Sequence, residues 1–121
     1  MRTGSRLLCL AAMSLAVVQS CRADMTVGMY LKGDRVINGV YLNGVGQGFS
    51  WANYWMKQQG RPPIYCEPDS VALDGSDYVK MVDRQIERLR RTASEPDFKG
   101  MLVAALLLKT LVEAFPCQST K

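Results

Sequence analysis

Four cysteines punctuate the sequence, and their positions restrict the fold more than any other feature does. Cys9 lies inside Leu7 to Val18, an uncharged and largely apolar run of 12 residues that follows Arg2 and Arg6. A positive start followed by a short apolar run is the pattern of an export signal. As a helix the run spans about 18 Å, too little for a hydrocarbon core of about 30 Å. A removed leader over residues 1–23 is therefore expected, rather than a retained membrane anchor. The competing reading makes residues 1–23 the first helix of a cytoplasmic protein.

Cys21 stands where processing would occur. Small residues at Cys21 and Ala23 suit cleavage before Asp24, which leaves a single domain over residues 24–121. Alternatively, Val18-Gln19-Ser20-Cys21 is similar to a lipoprotein box with Cys21 as the acylated residue, although Gln19 fits that box awkwardly. Either way, Cys66 and Cys117 remain as one pair in an oxidising compartment, and a disulfide between them is expected. It would close a loop of about fifty residues, to which the chain-entropy argument assigns about 4 kcal/mol. That is a large share of the roughly 5–10 kcal/mol that holds a small domain folded. Two free buried thiols are the alternative. A zinc site is disfavoured, because two cysteines in a chain without histidine supply too few good ligands.

The leader also carries most of the charge excess. The sequence has 15 basic and 11 acidic side chains; Arg2, Arg6 and Arg22 fall within residues 1–23, leaving 12 against 11. Electrostatic capture of a nucleic acid is poorly supported by so even a balance.

Past the leader the hydrophobic spacing is helical. From Val36 to Gln59, two Asn-Gly pairs (Asn38-Gly39 and Asn43-Gly44) would ordinarily signal hairpin turns. Against that, Ile37, Val40, Tyr41, Gly44, Val45, Gly48, Ala52, Trp55 and Met56 recur at steps of three and four. The intervening Asn38, Asn43, Gln47, Ser50, Asn53 and Lys57 supply a polar side. The reading is an amphipathic helix, interrupted near Gly44 to Gly48 or crossed closely there by another helix, with Gly60 as its stop. Arg61 to Pro68 holds three prolines and forms an extended connector that presents Cys66. A second helix begins at Asp74 or Ser76, with Tyr78, Val82, Ile86 and Leu89 on its apolar face. Thr92 to Gly100 reads as a loop. A last helix runs from Met101 to Phe115, apolar nearly all round at its start and too short to span a bilayer. The expected fold class is all-α, a small bundle of three to four helices closed by one disulfide.

Catalytic chemistry finds little footing in these residues. Without histidine the commonest general base is missing, and with it the usual serine and cysteine triads. Asp74 with Asp77 and Asp83 with Glu87 fall at a helix start and on a solvated face, where capping and solubility account for them. Gly44-Val45-Gly46-Gln47-Gly48 lacks the spacing and the βαβ setting of a dinucleotide fingerprint. No cofactor is expected, and a secreted enzyme is a disfavoured reading. Two groups remain as candidates for binding a partner. Arg84, Arg88 and Arg91 form a basic stripe that an acidic partner could use, or simply a solvated helix end. Trp51 and Trp55 share a face at i, i+4 while Tyr54 points elsewhere; core packing is the favoured account of the tryptophans, an aromatic contact surface the alternative.

Three segments also carry a resemblance. They are Tyr41-Leu42-Asn43-Gly44-Val45-Gly46-Gln47-Gly48-Phe49-Ser50-Trp51-Ala52-Asn53, Pro63-Ile64-Tyr65-Cys66-Glu67-Pro68 and Glu113-Ala114-Phe115-Pro116-Cys117. Their order and spacing are similar to those of the Rap/Tai family, small exported immunity proteins that neutralise type VI secretion effectors. The resemblance spans Asn38 to Cys117. It implies an all-α periplasmic domain, often a homodimer, that occludes the active site of an effector such as a peptidoglycan amidase. It also implies Cys66 and Cys117 as the disulfide pair, and it supplies no contact residues. The expected function is thus a non-catalytic periplasmic inhibitor. A general periplasmic stress factor or chaperone is the competing class.

Overall fold

The computed structural model of the protein describes residues 24–118. The expectations for the leader and for Cys21 lie outside the described residues. Five helices follow one another: α1 (Val27–Lys32), α2 (Arg35–Gln58), α3 (Gly75–Arg90), α4 (Glu95–Lys99) and α5 (Val103–Ala114). Three of them are long and two have only six and five residues, so the small all-α bundle is as expected, with the short α1 and α4 added to it.

The longest element, α2, has 24 residues, or about 36 Å of helix. Its start is fixed by Asp34, whose carboxylate accepts from the amides of Val36 (2.8 Å) and Ile37 (3.1 Å). Its end is fixed by Gly60, whose φ of 68° is the left-handed conformation that glycine adopts without strain. Between these caps the helix is continuous, and the interruption expected near Gly44 to Gly48 does not occur. Tertiary packing explains this: Leu42 and Gly46 are buried, and their contacts offset the glycine cost.

The expected buried face of α2 was also out of register. Ile37, Val40, Gly44, Gly48 and Trp55 are exposed, whereas Asn38, Leu42, Gly46 and Asn53 are buried. The close approach falls at Gly46, against which the Tyr78 ring lies, and at Gly39, whose carbonyl meets the start of α3 at Gly75. Two asparagines occupy the buried side because each serves backbone groups. Asn38 Nδ2 donates to the Tyr30 carbonyl (2.8 Å), and Asn53 clamps the connector, as described below.

Helix α3 begins in a capping box, with Asp74 accepting from the amides of Ser76 and Asp77 while Asp77 accepts from the Asp74 amide. Those hydrogen bonds hold the Asp74 carboxyl below the usual aspartate range. Its apolar face (Tyr78, Val79, Val82, Ile86) packs against both α2 and α5. Helix α5 buries Val103, Leu106, Leu107 and Leu111 but leaves Ala105 exposed, so it is covered on one side rather than all round. The segment expected to be a plain loop contains α4, because Pro96 is compatible with a first helical turn and Phe98 anchors that turn in the core.

Two ties close the bundle. Cys66 and Cys117 are bonded, with Cα atoms 4.9 Å apart, and the Cys66 amide donates to the Phe115 carbonyl (2.8 Å) beside them. At the other end, the Val27 amide donates to Met101 O and the Val103 amide to Met25 O, both at 2.9 Å. A polar latch joins α1, α2 and α3. Tyr30 donates its phenol proton to Asp83 (2.7 Å), and Arg35 donates to the other oxygen of the same carboxylate (2.9 Å). Burial, reinforced by the Asp83 carboxylate, pushes the Tyr30 phenol well above its ordinary value.

Candidate functional site

Because α2 turns its buried side toward α3 and the connector, its opposite side faces solvent along the whole length. Successive residues of a helix advance by 100°, so Val36, Val40, Gly44, Trp51 and Trp55 fall within an arc of roughly 100°. Val36 is 73 % exposed and Val40 68 %. Gly44 and Gly48 have open space where a side chain would stand. Trp51 (61 %), Tyr54 (48 %) and Trp55 (59 %) complete the stripe, so these rings belong to the surface and the favoured core-packing account of the tryptophans is corrected. Tyr54 does not point away from them. Its ring sits edge-on between the two indoles, at centroid distances of 5.6 Å from Trp51 and 5.8 Å from Trp55. Edge-to-face aromatic packing at such distances is favourable, by about 0.5–1.5 kcal/mol per pair.

Beside the aromatic group, the second half of α2 and the connector enclose a cleft of about 360 Å³. Its construction starts from Asn53. The Asn53 side chain donates to Tyr65 O (2.9 Å) and accepts from the Ile64 amide (2.9 Å), which pins an otherwise proline-stiffened segment along the helix. That clamp buries the Tyr65 ring and leaves its hydroxyl 3.4 Å from Ser50 Oγ. Tyr78 reaches the same cleft from α3, and Tyr54, Lys57 and Glu67 also line it. Burial raises the phenols of both Tyr65 and Tyr78 and also raises the Glu67 carboxyl. The hydroxyls are thus neutral hydrogen-bonding groups at ordinary pH. The hydrogen-bond partner of the Ser50 hydroxyl is the neutral Tyr65 phenol.

A second groove, of about 640 Å³, lies between the first half of α2 and the start of α3, with Val36, Val40, Asn43 and Val79 on its walls. The start of α3, seated on Gly39 and Asn43, separates the two hollows.

The basic stripe lies elsewhere. Arg84 and Arg88 line the side of α3 that borders α5, together with Thr110 and Glu113, while the aromatic stripe turns away from α3. Arg88 is paired with Glu113 (3.2 Å), and Arg84 and Arg91 make no ion pair among the described residues. The two sets of candidate residues therefore do not form one site. Sequence reasoning paired Trp51 with Trp55 but turned Tyr54 away from them, and it missed Ser50, Asn53, Tyr65 and Glu67 as neighbours. A signal for Tyr65 does exist: a large aromatic in a proline-rich connector must find burial against some other element. Comparison with known proteins adds no relative to this picture, since no family model, no curated protein and no solved structure matches the chain.

Proposed function

We propose that the protein is an exported, non-catalytic inhibitor that binds one effector enzyme, as the resemblance to type VI immunity proteins implies, with a peptidoglycan amidase as the expected target class. The observation that carries this reading is the solvent-facing, mutually packed Trp51, Tyr54 and Trp55 group on a continuous helix. Aromatic anchors on a rigid element are what a protein interface uses, since little ordering entropy is lost when they dock. The other half of the stripe, with Val36, Val40 and the open positions Gly44 and Gly48, suits close approach of a second copy's helix. A homodimer there is part of the proposal.

Bead-bound oxidised protein is expected to retain one stoichiometric hydrolase from periplasmic extract at neutral pH, identified by mass spectrometry. Replacing Trp51 and Trp55 together by alanine should weaken that capture at least about thirtyfold, as loss of interface anchors does. Capture that ignores the tryptophans would remove the aromatic group from the proposal. A broad set of clients, gained mainly after acid shock, would instead support a general stress factor or chaperone. Release of soluble fragments from peptidoglycan by the protein alone would overturn the non-catalytic reading. For the dimer, Val40→Lys should shift the sedimenting species from twice the monomer mass to the monomer.

A further inference from the structure

The acidic side chains fall into three groups. Most accept a hydrogen bond or ion pair, as Asp83 does from Tyr30 and Arg35. Others, such as Asp69, which lines the same cleft as Glu67, are exposed. Glu67 alone among the described residues is half-buried and has neither a hydrogen-bond donor nor an ion-pair partner. An acid taken partly out of water without a donor is unfavourable for the fold. It stands in a cleft walled by the rings of Tyr65 and Tyr78, with Tyr54 at the aromatic stripe. The only cation on those walls, Lys57, makes no ion pair among the described residues.

The geometry points to this cleft as the receptor for one guanidinium group, an arginine side chain of the bound protein that sets its charge on Glu67 and its plane against Tyr54. A planar, weakly hydrated guanidinium suits both contacts, since it donates in a fork to a carboxylate and stacks on an aromatic face. A compact ammonium keeps its hydration more strongly and uses the ring face less well. The hydroxyls of Ser50 and Tyr65 can accept the donors that the carboxylate leaves. Lys57 acts against the ligand by charge repulsion. The inference rests on the protein-binding reading, which it deepens by naming a side chain that the partner must carry.

The test needs no effector. The oxidised protein is titrated with N-acetyl-arginine amide and, separately, with the neutral isostere N-acetyl-citrulline amide, following amide chemical shifts by NMR. Saturable shifts at Ser50, Tyr54, Tyr65 and Glu67 are expected, with the arginine derivative bound about tenfold more tightly, as a charge-assisted pair requires. Glu67→Gln should erase that preference while its spectrum still reports the native fold. Tyr54→Leu should weaken arginine binding about threefold, and Lys57→Met should strengthen it. Equal binding of the two probes, a preference that survives Glu67→Gln, or shifts confined to other surfaces would each overturn the proposal. Arginine binding without capture of a hydrolase would keep the receptor and discard the effector; capture without arginine binding would do the reverse.

Discussion

Single residues decide where this helix bundle is tight and where it is open, and the glycines of α2 show both. A methyl group at Gly46 would overlap the Tyr78 ring, whereas Gly44 and Gly48 face open space. Gly46→Ala should therefore destabilise the fold by about 1–3 kcal/mol, the cost of overpacking a filled site. Gly44→Ala and Gly48→Ala should each stabilise it, by up to about 1 kcal/mol, because alanine is the better helix former. Urea unfolding of the three variants separates these outcomes. If the stripe also admits a second helix closely, the same two stabilising substitutions should weaken dimerisation. Glu67 gives a pH-dependent counterpart. Desolvation raises its carboxyl above the ordinary value of 4.5, so the charged form is disfavoured in the fold. The cost is present above the folded-state value, shrinks as pH falls through it, and vanishes below 4.5, where folded and unfolded chains both carry the proton. Glu67→Gln should raise the Tm by about 1–3 °C at pH 7 and leave it unchanged at about pH 3.

At the scale of elements, the connector is held by one side chain from the helix beside it. Asn53 bonds the backbone at both Ile64 and Tyr65, so Asn53→Ala leaves the buried Tyr65 carbonyl and the partly exposed Ile64 amide without their side-chain partner. A loss of about 2–3 kcal/mol is expected. Hydrogen exchange should locate the effect, with the Ile64 amide losing protection before the interior of α3 does. Unchanged protection at Ile64 would mean that the prolines and the disulfide hold the segment without the clamp. Because Tyr65 and Glu67 ride on this connector, the same substitution should loosen the cleft while leaving Trp51 and Trp55 on their helix.

For the molecule as a whole, the Cys66–Cys117 bond joins the middle of the chain to the segment just after its last helix, across a sequence separation of 51. The loop it closes contains α3, α4 and α5, three of the five helices. Cys66→Ser should cost about 2–4 kcal/mol, a fall in Tm of more than about 10 °C for a domain of this size. The check is calorimetry of both proteins with and without reductant, where reduction should bring the parent down to the variant. A parent Tm indifferent to reductant would mean that packing of α3 on α2 and α5 carries the fold alone.

Much of this was legible in the sequence for a physical reason: the signals were local. Hydrophobic spacing marked Tyr78, Val82 and Ile86 as one face, Asp74 announced a cap, Gly60 a stop, and the prolines from Pro62 to Pro68 an extended segment. Each depends on a few neighbouring residues, so a linear reading suffices. The rotation of α2 about its axis was not legible. Its two sides carry similar mixtures of apolar residues, glycine and amide, and a helix with apolar residues on both sides has no preferred inward face until a neighbour selects one. Tyr78 over Gly46 and Gly75 against Gly39 made that selection, turning Leu42 and Asn53 inward and Trp51 and Trp55 out. The sequence by itself determined the three long helices, the cap of α3, the stop of α2 and the cysteine pair. Only the tertiary structure decided which side of α2 meets a partner and which residues of the connector stand beside it, because those follow from contacts between segments far apart in the chain.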